Sequence, residues 1–207
     1  MANHLLRLPV NQRCTSTDLP LEQTLQEPKV FEKALTIWQM HHLTGGDWRD
    51  TIQIAGIDHV THVYDVSADD PGNYFLRHQC DVSPLSADIS LRNLPLREFT
   101  QAGTGQCHIE GLIATKSRMR PVFQDVAFII NNVYCRYKRL LCPVSNEAGE
   151  ISEIFSTVNL EDSRVVPRLV GNASPRYGDE IRTRFGIAPR RIATNKRHFH
   201  LVPVLDR

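Results

Sequence analysis

Three β-branched and aromatic runs crowd into residues 121–160: PVFQDVAFII, YCRYKRLLCPV and ISEIFSTVNL, parted only by Asn131-Asn132 and by SNEAGE. Connections this short leave no room for the crossover of a dozen or more residues that parallel strands need. The three runs must therefore fold back on one another as an antiparallel meander. In the middle run Cys135, Tyr137, Arg139 and Leu141 fall on one face, and Arg136, Lys138 and Leu140 on the other. That mixed pattern reads as a sheet half covered, with one face left to solvent or to another chain. Gly149 is placed to serve the turn into the last strand.

Upstream, PKVFEKALTIWQMHHL carries Val30, Phe31, Leu35, Trp38 and Leu43 near the helical period, and TGG at 44–46 stops the run as a glycine cap would. The runs HVTHVYDV (59–66) and YFLRHQCDV (74–82) flank the turn signal SADDPGN and read as a hairpin. DISLRNLPLREF follows as short irregular or helical segments broken by Pro95. A second helix is expected over CHIEGLIATKSRM, which Pro121 bars from continuing, and Gly103-Thr104-Gly105 reads as a bare turn. With 207 residues there is room for one core plus extensions. We divide the chain into a loose N-terminal arm (1–27), a folded domain (28–162) and a C-terminal extension (163–207).

The formal net charge of +1 hides an asymmetry. From Arg164 onward there are ten Lys or Arg against three acids, which leaves the body near −6 and the tail near +7. Such a basic tail suits nucleic acid, through counterion release, or folds back on its own acidic body. No stretch has the length and apolarity of a membrane span, and the N-terminus lacks the apolar run of a signal peptide. The expectation is a cytoplasmic protein that does not meet a membrane. Five cysteines without a Cys-x-x-Cys pair fit reduced thiols. Gly-x-Ser-x-Gly, the phosphate-cradling loop and His-Glu-x-x-His are all absent, so the expectation is a protein without catalysis of its own. His59 and His62, at i and i+3 on a strand, face opposite sides and make a poor metal pair, and His198 and His200 lie in the tail. The apolar residues Phe31, Leu35 and Trp38 must be buried against the chain's own sheet or a second copy, and we expect them to form the interface of a homodimer.

The order helix, two strands, helical connectors, helix, three strands resembles that of a PAS domain. FEKALTIWQMHHLTGGDW, DHVTHVYDVSADDPGNYFLRH, RMRPVF and, above all, YKRLLCPVSNEAGEISEIF are similar to the small, often stand-alone PAS-like proteins of bacteria. Together these segments cover roughly residues 30 to 160. The resemblance implies an α+β fold, a PAS-like five-stranded antiparallel sheet with capping helices and an N-terminal helix. It also implies a sensory or regulatory domain in signal transduction, binding a small ligand or a protein signalling partner. Its pocket would draw on Tyr74, His78, His108, Tyr137 and Leu141. Haem sensors of the family resemble this arrangement in taking an axial histidine from the helix that closes the pocket, so haem held by His108 is a second alternative beside a nucleic-acid regulator acting through the tail. Where a glycine is common in the family this chain has Asn93, a residue that tolerates a left-handed turn.

Overall fold

The predicted meander is the middle of a larger sheet. In the computed structural model, which describes residues 14–80, 93, 95–98, 103–130 and 133–159, the chain runs in the order β1 (Cys14–Leu19), α1 (Lys29–Thr44), α2 (Trp48–Ile54), β2 (Thr61–Asp65), β3 (Phe75–His78), α3 (Gly103–Arg118), β4 (Val122–Ile130), β5 (Val133–Ser145) and β6 (Ile151–Asn159). Every strand pairing is antiparallel, and the order across the sheet is β1-β4-β5-β6-β2-β3. Six strands stand where five were expected. The sixth comes from the supposed loose arm, where CTSTDL pairs along β4 from Cys14 opposite Phe128 to Leu19 opposite Phe123. Its polar, short residues hid a strand, because an edge strand needs backbone pairing more than an apolar face. The C-terminal extension, with its basic residues, lies outside the described residues.

The local signals worked where the chemistry was local. α1 ends at Gly45, whose φ of 67° is left-handed and whose N–H donates to the His41 carbonyl at 2.8 Å. Asp47 caps α2 by accepting from the Arg49 N–H at 2.8 Å. Asn93 does adopt a left-handed turn, with φ of 62°. In the β5–β6 turn the Asn146 side chain accepts from the N–H groups of Ala148 and Glu150, and Gly149 takes the positive φ of 81° that closes the loop. Gly103-Thr104-Gly105 is not a bare turn but the first residues of α3. Two glycines are poor helix formers, and packing of the helix against the sheet overrides that preference.

Both faces of the sheet are covered by the chain's own helices, so the half-covered sheet is corrected. On one face α1 and α2 bury Phe31, Ala34, Ile37, Trp48 and Ile52 against Phe123, Leu140 and Phe155. Phe31 meets Phe123 edge to face at 5.1 Å, Trp48 stacks on Phe155 at 5.2 Å, and the Trp38 indole N–H donates to the Pro143 carbonyl at 2.7 Å. Phe31, expected at a dimer interface, is instead part of the core. Leu35 and Trp38 are partly buried against the same cluster, and Leu43, placed on the buried face, is 82% exposed. α2 and its Trp48 were not foreseen, since seven residues are too few to show a helical period.

On the other face α3 covers Tyr64, Val66, Tyr74, Leu76, Leu96, Val122, Leu141 and Ile154. Alternation along β5 is as read: Leu140 packs toward α1, while Leu141 packs toward α3. We expect Leu141→Ala to cost about 2–5 kcal/mol in urea denaturation, the range for a buried leucine that leaves a cavity. Lys138→Ala removes a partly exposed ion pair with Glu27 and should cost less than about 1 kcal/mol. A reversed ranking would invert the assignment of faces.

Candidate functional site

Strand register builds three rows of side chains across the face beneath α3. In the first, Asp18, Gln124, Arg139 and Val158 stand opposite one another on β1, β4, β5 and β6. The second carries Val122, Leu141, Ser156 and His62, and the third Pro143, Ile154 and Tyr64. An apolar layer thus has a polar seam.

Arg139 is the centre of that seam and is 0% exposed. A guanidinium taken out of water costs several kcal/mol unless its donors are met. Nε donates to Gln124 Oε1 at 2.9 Å, Nη2 to the same oxygen and to the Cys107 carbonyl at 2.8 Å each, and Nη1 to His108 Nδ1 at 3.0 Å. All of these acceptors are neutral. The carboxylate of Asp18 is reached only through Gln124, whose Nε2 donates to Asp18 Oδ1 at 2.8 Å. Burial raises the Asp18 carboxyl, but the hydrogen bond from Gln124 and the pairing with Arg118 outweigh it and hold it below the usual range.

Gly111 lets the helix lie on the guanidinium. A Cβ there would stand 2.3 Å from Arg139 Nη2 and 2.8 Å from Gln124 Oε1. A long side chain usually swings aside from such a clash, but this one is enclosed and held by four contacts. Close approach explains a glycine in mid-helix, which otherwise costs about 1 kcal/mol relative to alanine.

Arginine has no acceptor, so its bond to His108 Nδ1 fixes the tautomer. Burial first, and then the Arg139 charge, hold His108 well below its ordinary pKa, so the ring is neutral and its proton sits on Nε2. From there it donates to the Tyr64 hydroxyl oxygen. His62 is set the same way. The Cys80 N–H donates to its Nδ1 at 3.2 Å, leaving Nε2–H to donate to Cys80 Sγ at 3.2 Å. Burial above all, with the neighbouring His78 ring and the Arg139 guanidinium adding to it, lowers His62 to about 3. So weak a base, already carrying its proton on the nitrogen that faces the sulfur, does not activate the Cys80 thiol as a nucleophile.

Of the five residues expected to line a pocket, the structure brings His108, Tyr137 and Leu141 together around Arg139 on this face. Burial holds the Tyr137 hydroxyl above its ordinary pKa, against the pull of Arg139. Tyr74 lies in the same apolar cluster, with Lys116 Nζ 5.4 Å from its ring centre. His78 sits apart on the edge strand β3, its Nε2 3.4 Å from the Asp58 carbonyl. With Nδ1 held by Arg139 and Nε2 by Tyr64, His108 presents no lone pair to an iron, and the residues present do not fit a haem ligated there. Sequence reasoning missed Tyr64, Gln124, Arg139 and Ser156. The one usable signal was an arginine in phase with Tyr137 and Leu141, together with a glycine inside the helix above.

Among the described residues no helix is long and apolar enough to cross a membrane. No family model matches the chain, and no curated protein matches it either. A solved structure of an RNA-binding light-oxygen-voltage receptor is similar to it at 18% identity and a TM-score of 0.37, over 67% of this chain and 38% of that one. A likeness that low carries no argument about fold or function.

Two measurements follow from the seam. Gly111→Ala should destabilise the protein by about 2 kcal/mol or more, despite alanine's better helix propensity, because the guanidinium loses acceptors it needs. A stabilised variant would show that Arg139 is not confined. His62 and His108 are neutral when folded but take up protons in the unfolded chain below about pH 6.5. Stability should therefore be full above that pH and fall between pH 6.5 and 5, by up to about 1.4 kcal/mol per unit for each histidine. A flat profile of unfolding free energy over that window would mean that neither imidazole is held neutral.

Proposed function

We propose that this chain is a PAS-like sensory module. It holds a small ligand between α3 and the sheet and passes occupancy to a protein partner, without catalysis of its own. The observation that carries this reading is the buried polar seam, Asp18-Gln124-Arg139-His108-Tyr64, running under a single helix in an otherwise apolar layer. An apolar layer with a few fixed polar groups suits recognition of a small molecule. The element order, two strands, a helix and a three-strand meander behind a leading helix, supports the PAS-like reading of the sequence.

The two faces divide the labour. The α1 side is an apolar foundation that fixes the sheet. The α3 side carries the charge, and α3 is tied to it through Arg139 at one end and through Lys116, which donates to the Val66 and Ala68 carbonyls at 2.6 and 3.2 Å, at the other. A ligand that altered the seam would act on both ties and so on the position of the helix.

Native mass spectrometry of the purified full chain, with an absorption spectrum, tests the proposal. The expected result is a small-molecule adduct lost on denaturation, with no haem band. A chain that carries no small molecule, and whose melting temperature responds to none in a metabolite extract, would overturn the ligand-binding reading. A haem band that disappears in His108→Ala would overturn the account of that histidine.

A further inference from the structure

Ser156 lies in the row between those of Arg139 and Tyr64, opposite His62 and Leu141, and is fully buried. Its Oγ has no hydrogen-bond partner among the described residues. A buried hydroxyl left without a partner costs about 1–3 kcal/mol, so it needs an explanation. Tyr64, in the adjacent row, is in a related position. Its oxygen accepts from His108 Nε2–H, and its own proton has no acceptor among the described residues. Two buried hydroxyls on one face, in neighbouring rows, thus each have a hydrogen to give.

Away from β1, the described charge on this face has one sign. The Arg139 guanidinium acts on Tyr64, His62 and His108 alike. The imidazoles are neutral, and Lys116 at the far end of the helix adds a second cation. The carboxylates lie elsewhere: Asp18 is beyond Gln124 on the outer strand β1, and the exposed Glu110 acts on Cys14 of that same strand. Toward Tyr64 and Ser156, the field of Arg139 has no described carboxylate to offset it.

We propose that this face binds a small organic carboxylate, whose oxygens accept from the Tyr64 hydroxyl and Ser156 Oγ in the positive field of Arg139. This rests on the ligand-binding reading above and gives that ligand a chemical class. The anion completes both orphan donors and balances a charge that the protein offsets only on its β1 side. Arg139 acts through its field and through His108, because four of its five N–H donors are engaged with Gln124, the Cys107 carbonyl and His108, and Tyr137 is also hydrogen-bonded to it.

The test uses the full chain, with acetate, propionate and benzoate titrated at constant ionic strength against chloride, and acetamide, propionamide and benzamide as uncharged counterparts. Binding is read by saturation-transfer NMR and by melting temperature. At least one carboxylate should bind saturably, with its amide at least about tenfold weaker. Tyr64→Phe and Ser156→Ala should each weaken that carboxylate by about tenfold or more, as expected for loss of a hydrogen bond to a charged group. Without ligand, Ser156→Ala should melt at the same or a higher temperature, since it removes an unpartnered hydroxyl, and this keeps the experiment interpretable if Tyr64→Phe folds poorly. Saturable binding that survives Ser156→Ala unchanged, or failure of all three carboxylates, overturns the proposal. Amides that bind as tightly as the acids, and lose affinity in the same variants, overturn the carboxylate class but leave the ligand-binding reading in place. A crystal structure with a lone water between the two hydroxyls, together with silence from all six compounds, overturns the proposal as well.

Discussion

A guanidinium with no exposed surface sits between the sheet and α3, and much of the architecture is arranged around it. Burying that charge is costly, and the cost is offset only when every donor finds an acceptor and a counter-charge lies within reach. Gln124 and the Cys107 carbonyl supply acceptors from β4 and from α3 itself. Asp18 supplies the negative charge at one remove, and β1 is what brings it there. The glycine inside α3 lets the helix backbone approach the ion closely enough to be one of its partners.

The same ion organises what lies beyond it. By donating to His108 it decides which nitrogen of that ring carries the proton, and so decides that Tyr64 accepts rather than donates there. One fixed donor sets the direction of a chain of hydrogen bonds and delivers a free hydroxyl hydrogen into the buried layer. Neutral histidines beside a cation also make the Tyr64 side of the face a place of fixed positive field, where little reorganisation is needed to meet an acceptor. Among the described residues the opposite face buries no comparable charge. Aromatic contacts and aliphatic packing under α1 and α2 hold the sheet, and the exposed ion pairs on the rim, such as Arg136 with Asp125, add little to stability.

Much of the framework was legible in the chain itself. The meander followed from connections too short for any other pairing, and the C-terminal end of α1 and the β5–β6 turn followed from Gly45 and Gly149, whose preferences are settled within a few residues. Alternation along β5 separated Leu140 from Leu141 correctly. The misreadings share a cause, since each depended on a neighbour distant in sequence. CTSTDL became a strand because β4 offered it an edge, Phe31 was taken up by Phe123 of its own sheet, and Leu43 lay beyond the reach of that face.

The seam marks the boundary most clearly. Sequence by itself determined that Arg139 shares a face with Tyr137 and Leu141, because side chains alternate along any strand whatever surrounds it. It also determined that a glycine would sit within the helix that follows the hairpin. That the arginine is enclosed, that Gly111 lies over it, and that Asp18, His108, Tyr64 and Ser156 gather beside it were decided only by the tertiary structure. Burial and charge compensation are properties of groups that come together from well-separated parts of the chain, His108 and Arg139 31 residues apart and Asp18 and Gln124 106 apart, and no local pattern encodes the energy of a contact that distant.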